Sequence, residues 1–317
     1  MKVLVAGTGG VGGYFGARLL ANGHDVWFLA RGDNLKALRS HGLTVLSSFG
    51  DLRFDDVDAV EDGADAQPVD AVLFCVKTYD NESAADAVAG AVQPGTVICS
   101  LQNGVENEWF LSGRFPRAAV IGGVARLESW LDAPGVIVQR GGLADLVIGA
   151  FRTEDRPAAE SLARCFDGTA VPIQVTDDID SALWFKLLVI AGIGGVTAYC
   201  RCPIGKLRTD DGLMSLLVGA MEEVDEVAGA RKIALPPNPV QTVLDSVSSA
   251  LDSQAKSSMC RDVEHGRPLE VEAINGAVVR FGAEVGVDTP ANLTILDRLL
   301  PLHRAAMAGR VESRPTG

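Results

Sequence analysis

Positive charge is scarce in this sequence. Of its 317 residues 28 are Lys or Arg and 41 are Asp or Glu, giving a formal net charge of −13 and a sequence pI near 4.8. A protein that binds duplex nucleic acid needs a basic footprint to displace counterions from phosphates, and an anionic membrane surface repels an acidic chain. Neither is expected as a partner. Long apolar runs are lacking too. The stretch 1–6 breaks at once into glycines, too short for a signal-peptide core or a bilayer span. The most apolar later stretch, 184–196, is interrupted by Lys186 and three glycines and reads as a buried core helix. Cys75, Cys99, Cys165, Cys200, Cys202 and Cys260 contain no C-x-x-C pair and stand beside no histidine cluster. Cys200 and Cys202 are spaced wrongly for zinc, so the expectation is six free thiols in a reducing cytoplasm and no metal site. Internal repeats and low-complexity runs are also missing. With 47% hydrophobic and 22% charged residues the composition is that of an ordinary globular protein, which excludes large-scale disorder.

What is abundant is glycine, 35 residues in all, six of them among the first sixteen. The length suits two domains. In the first half, strands are expected at 2–6, 25–29, 69–76, 96–100, 120–126 and 146–148, with helices at 11–22 and 83–91. Strand, helix, strand at this spacing means right-handed βαβ units and a mostly parallel, doubly wound sheet. The second half turns helical, with helices expected at 179–192, 213–230, 239–252 and 271–285. That shift places a boundary near residue 175, giving a Rossmann-like domain at 1–175 and a helical domain at 176–317 whose tail, 306–317, frays.

The first strand runs into Gly7-Thr8-Gly9-Gly10-Val11-Gly12, a G-x-G-x-x-G turn between strand and helix. Gly7 permits the tight turn, Gly9 lets backbone approach a pyrophosphate, and Gly12 lets helix pack on strand. The N–H groups that open the helix, from Gly10 and Val11 onward, point at the phosphates. At the end of the second strand, where an NAD enzyme usually places Asp or Glu for the ribose hydroxyl, this chain has Arg31. A guanidinium offers donors to a 2′-phosphate and no acceptor to a hydroxyl, which points to NADP. A solvated surface arginine is the plainer alternative.

Four further residues stand out. Lys186 lies in the apolar segment WFKLL, and its nearest charges in sequence are Asp180 and Arg201. In a cleft such an ammonium donates a proton to an alkoxide, and at a helix edge it merely snorkels. Glu270 opens an expected helix, where a carboxylate either serves a site or satisfies the helix dipole. Lys77 and Asn103 each follow a buried strand, at the carboxyl edge where doubly wound sheets bind ligands. Asn103-Gly104 also reads as a simple turn.

Taken together, GTGGVG at 7–12, CVKTYD at 75–80, LQNGVENE at 101–108, WFKLL at 184–188, SSM at 257–259 and EVEAING at 270–276 resemble the ketopantoate reductase (2-dehydropantoate 2-reductase) family along nearly the whole chain. The resemblance implies an NADP-dependent oxidoreductase acting on a CH–OH group, reducing a 2-oxo acid in pantothenate biosynthesis. It implies a Rossmann-like domain and a helical domain enclosing a cleft, in a cytoplasmic monomer or homodimer. Lys186 would protonate the carbonyl oxygen. Glu270 would bind the substrate hydroxyl and orient Lys186, and Ser258 would hold the substrate carboxylate. Asn103 would lie near nicotinamide and substrate, with Arg31 and Lys77 on the adenosine-phosphate side. Against the acidic whole, Arg31, Lys77 and Lys186 then form a sparse positive track.

One departure stands out. The family typically carries asparagines four and eight residues after the lysine, and here those positions are Ile190 and Gly194. A site that loses the polar partners of a substrate hydroxyl loses selectivity for it. The expected substrate is therefore less polar, or bulkier, than ketopantoate. Another NAD(P)-dependent hydroxyacid or polyol dehydrogenase, and a non-catalytic NADP-binding redox sensor, are the alternatives.

Overall fold

In the computed structural model, which describes residues 1–66 and 68–312, the chain divides into two compact units. One comprises Met1–Gln102 and Asn107–Ile179, the other Asn103–Glu106 and the chain from Asp180 onward.

The first unit is built on β1 (Lys2–Ala6), α1 (Gly10–Ala21), β2 (Asp25–Leu29), α2 (Gly32–His41), β3 (Leu43–Ser47), β4 (Leu52–Phe54) and β5 (Asp58–Val60). There follow β6 (Ala71–Phe74), α3 (Asn81–Val88), β7 (Val97–Ser100), α4 (Asn107–Arg114), β8 (Ala119–Ala133), β9 (Val136–Ala150), α5 (Arg156–Arg164) and β10 (Ile173–Thr176). Among the described residues these ten strands form one sheet, ordered β4-β3-β9-β8-β7-β6-β1-β2-β5, with β10 against β9. β1 pairs in parallel with β2 and β6, so the chain order reverses at β1 and the doubly wound arrangement follows. Alternation along β1 divides the core. Val3 and Val5 pack on one face with Phe15, Phe28 and Ile148, while Leu4 and Ala6 pack on the other with Phe74, Ile98 and Leu111. A strand covered on both faces has no polar side, which is why its sequence reads as an unbroken apolar run.

The stretches expected as separate short strands at 120–126 and 146–148 are parts of one long antiparallel hairpin, β8–β9, which turns at Pro134-Gly135. Gly135 takes φ 75° there. Beyond Arg126 the arms mix exposed polar residues with a short buried run, Ile137 and Val138, followed by the buried Gln139.

The second unit is helical. Helix α6 (Ile179–Val189) runs through a π turn, Ile190–Gly194, into α7 (Gly195–Cys200). It continues through α8 (Ile204–Leu207), α9 (Asp211–Ala230), α10 (Pro239–Asp245), a second π turn at Ser246–Ala250, α11 (Ser258–Glu264), α12 (Asn275–Val285) and α13 (Pro290–Glu312). The continuous helix Ile179–Cys200 is long and apolar enough to cross a membrane, yet 67% of its most apolar window is buried inside the fold, as in a core helix.

Three expectations are corrected. The helix anticipated at 271–285 begins only at Asn275, and 271–274 form turns. The tail expected to fray is helical as far as Glu312, as the continuation of α13, whose buried face of Ile295, Leu299 and His303 precedes it; 313–317 lie outside the described residues. Cys200 and Cys202 are joined in a disulfide rather than free. The left-handed backbone of Arg201 (φ 52°, ψ 43°) turns the chain back at the end of α7 and brings their Cα atoms to 5.3 Å. Cys75, Cys99, Cys165 and Cys260 are free thiols.

Candidate active site

Gly7 takes φ +98°, and a Cβ there would come within 2.8 Å of the Val76 side chain. A Cβ on Gly12 would stand 2.3 Å from the carbonyl oxygen of Gly7 and 2.8 Å from Val5, so α1 lies directly on β1. Gly10 has no room for a side chain, because the backbone of Ser129 lies 2.6 Å from its Cβ position. Gly9 differs: its φ is −92°, and nothing lies within 4 Å of where its Cβ would be. Its missing side chain leaves open space beside the helix N-terminus. That terminus has no side-chain cap and no acidic residue in its first turn, which leaves the N–H groups of Gly10 and Val11 without a carboxylate competitor. This cradle fits the pyrophosphate of a dinucleotide. Burial pushes the thiol of the half-buried Cys75, which packs against Gly12, well up, which disfavours its thiolate.

The loop is tied to its surroundings. Thr8 Oγ1 donates to the Leu29 carbonyl at 3.1 Å, and Asn34 Nδ2 donates to the Thr8 carbonyl at 2.9 Å. Arg31 caps the start of α2, where its guanidinium donates to the hydroxyl and carbonyl of Ser83 at 3.2 and 3.0 Å. It is exposed and held at the carboxyl end of β2, a geometry that fits a 2′-phosphate. Lys77 is half-buried just after β6. At the same edge Gln102, not singled out by sequence, donates to the Val76 carbonyl and to Asn81 Oδ1, each at 2.7 Å.

In the second unit a cavity of about 210 Å³ gathers Asn103, Ser258 and Glu270. Asn103 Nδ2 donates to Glu270 Oε2 at 3.2 Å, across 167 residues of sequence. Glu270 is buried, and because it precedes turns rather than opening a helix, the dipole does not account for it. Lys186 is half-buried on α6, one turn before Ile190, which lines the cavity. Gly194 also lines it. A Cβ at Gly194 would find only Ile190 and Met259, each at 3.8 Å. With Val189, Ile193 and Ile274 these make one wall apolar, while Asn103, Ser257, Ser258, Asp262 and Glu270 supply the polar groups.

The π turn forms part of that wall. Residues 189, 190, 193 and 194, spaced i, i+1, i+4 and i+5 along the continuous helix, share the face that lines the cavity. Thr197 Oγ1 donates to the Ile193 carbonyl four residues back at 2.7 Å and lies 2.8 Å from Ser257 Oγ. Ser257 in turn caps α11 by accepting the N–H of Cys260 at 3.0 Å, which sets Ser258 at the first position of that helix. Asp262, one turn further along α11, was not anticipated; nothing in its local sequence separates it from a solvated acid.

Residues 3–153 match the family described as ketopantoate reductase PanE/ApbA, and residues 178–302 match ketopantoate reductase PanE/ApbA C terminal. The 2-dehydropantoate 2-reductase of Archaeoglobus fulgidus is 32% identical over 298 residues, 93% of this chain and 96% of its own. The crystal structure of 2-dehydropantoate 2-reductase from Geobacter metallireducens is 32% identical with a TM-score of 0.87, covering 96% of this chain and 100% of that one. A D-mandelate dehydrogenase in complex with NADH and anilino(oxo)acetate shares the fold, with a TM-score of 0.89 at 20% identity over 97% of this chain and 100% of that one.

Proposed function

Because the chain belongs to the ketopantoate reductase family of NAD(P)-dependent oxidoreductases, we propose that it reduces a 2-oxo acid to the 2-hydroxy acid with NADPH, and that its substrate is less polar, or bulkier, than ketopantoate. The observation that carries this reading is the make-up of the cavity. Asn103, Ser258 and Glu270 supply polar groups, while Ile190 and Gly194 contribute no side-chain donor or acceptor to pair a hydroxyl. A hydroxyl buried against such a wall loses its water without replacement, at a cost of about 1–3 kcal/mol. An alkyl or aryl group gains by displacing that water.

The bound cofactor supplies the hydride. Ser258 holds the substrate carboxylate, and Lys186 gives its proton to the carbonyl oxygen as negative charge develops there. Glu270, held by Asn103, orients the lysine and the substrate. Arg31 and Lys77 bind the adenosine-phosphate side, and the Gly7–Gly12 turn takes the pyrophosphate. The protein acts in the cytoplasm as a monomer or homodimer.

The test is NADPH consumption with ketopantoate, 2-oxoisovalerate, 2-oxo-4-methylpentanoate and phenylpyruvate, for wild type and Lys186→Ala. Loss of the general acid lowers kcat about 10²–10⁴-fold and leaves NADPH binding intact. The less polar acids are expected to give the higher kcat/KM. Full efficiency with ketopantoate sinks the altered-substrate reading. Tight NADPH binding without turnover of any oxo acid favours a non-catalytic sensor instead.

A further inference from the structure

Glu270 is anchored from behind by a residue far away in sequence. The N–H of Leu269, the residue before it, donates to Nδ1 of His303 on α13 at 3.0 Å, and both residues are buried. Pro268 before Leu269 has no N–H, so of these two residues only Leu269 offers a backbone donor ahead of Glu270. On the other side the Glu270 carbonyl accepts the N–H groups of Ala273 and Ile274 at 3.1 and 3.0 Å. The backbone of Glu270 is thus fixed from both directions while its carboxylate takes the amide of Asn103.

An imidazole nitrogen that accepts an N–H carries no proton of its own, so the proton of His303 sits on Nε2. Nε2 faces Glu272 Oε2 across 3.6 Å. We propose that His303 is a positioning residue for Glu270: its unprotonated Nδ1 holds the Leu269 amide and so sets the carboxylate that lines the substrate cavity, and protonation of His303 releases it. A protonated ring presents a donor to the Leu269 donor, and the two repel. The charged groups acting on His303 are Glu272, which favours the proton, and Arg304 beside it on α13, which opposes it. Burial opposes it most, and the net effect holds the imidazole below its ordinary range, neutral at pH 7.

This inference rests on the reading of the cavity as the 2-oxo acid site, and its test has an arm that does not. With the best oxo acid, His303→Leu removes the acceptor and raises KM about tenfold with a smaller effect on kcat. His303→Asn places an amide oxygen near the position of Nδ1 and restores the wild-type KM. The wild-type KM climbs only at a pH below the ordinary imidazole range, where the lowered His303 finally takes its proton, that of His303→Asn does not, and Glu272→Gln moves the wild-type rise to lower pH. A KM that ignores His303→Leu while only the melting temperature falls overturns the proposal, as does an identical pH profile in His303→Asn. The independent arm follows the Leu269 amide by ¹⁵N–¹H NMR in the wild-type protein. Its protection factor, the exchange rate set against the intrinsic rate at each pH, falls as the His303 ring titrates. An amide that stays protected through that titration overturns the proposal whether or not any oxo acid is turned over.

Discussion

Gly9 and Gly12 lie three residues apart where the glycine turn enters α1, yet their missing side chains do different work. A methyl on Gly12 would meet the Gly7 carbonyl at 2.3 Å, and backbone cannot step aside as a flexible side chain can. A methyl on Gly9 meets no protein atom within 4 Å and needs no unusual backbone angle. If the open space at Gly9 is there for the pyrophosphate, the two substitutions separate folding from binding. Gly12→Ala is expected to cost about 1–3 kcal/mol of stability from overpacking, seen as a lower melting temperature. Gly9→Ala is expected to melt like wild type and to bind NADPH at least about tenfold more weakly, by titration calorimetry. Equal NADPH affinity in Gly9→Ala would leave the cradle without its ligand.

The same contrast recurs one level up, in the π turn Ile190–Gly194. Gly192 is needed by packing, since its Cβ would stand 2.6 Å from Met221 on α9, whereas Gly194 opens on the cavity. At Gly194 the backbone is helical, at φ −62° and ψ −49°, so a larger residue is compatible with the helix. Gly194→Leu is therefore expected to fold normally and to take up cavity space. It lowers kcat/KM for phenylpyruvate by about tenfold or more while sparing a small acid such as 2-oxobutyrate. Ile190→Asn is expected to shift preference back toward ketopantoate. Uniform losses across all acids in both variants would mean that this wall does not contact the substrate side chain. Sequence made the glycine turn, β1 and β2 and the sheet class readable, because periodicity and glycine spacing are local. It also brought Asn103, Ser258 and Glu270 onto one list, through order and motif rather than through any computable contact. It could not show the π turn, whose residues keep ordinary helical composition, nor the β8–β9 hairpin, whose arms mix exposed polar residues with the buried Ile137, Val138 and Gln139 and so follow no simple alternation. Ser257 and Asp262 were missed for a related reason: each earns its place through a partner 60 residues away in sequence or through the shape of the cavity.

At the scale of the whole molecule, acidity acts in opposite directions. At −13 the chain repels itself at pH 7, and protonation toward its pI near 4.8 relieves that repulsion and favours the compact state. Particular groups work against this gain. His303 is held below its ordinary pKa of 6.5 in the fold, chiefly by burial, so below pH 6.5 the unfolded chain takes up a proton that the folded chain refuses. The stabilisation is complete above that value and is lost as pH falls. Asp210 caps α9, where a hydrogen bond from Lys206 and the N–H of Leu213 hold its carboxyl below 3.8. Its contribution is present above pH 3.8 and disappears only at lower pH. The two losses therefore occupy separate windows, and only the first coincides with the relief of net charge. Urea unfolding of wild type and His303→Asn at intervals from pH 7.5 to 4.5 separates them, since both proteins share the global charge and the Asp210 cap. Wild type is expected to lose stability relative to His303→Asn as pH drops through the window below 6.5. Parallel stability curves across that window would show that the buried imidazole takes its proton as readily in the fold as in the unfolded chain.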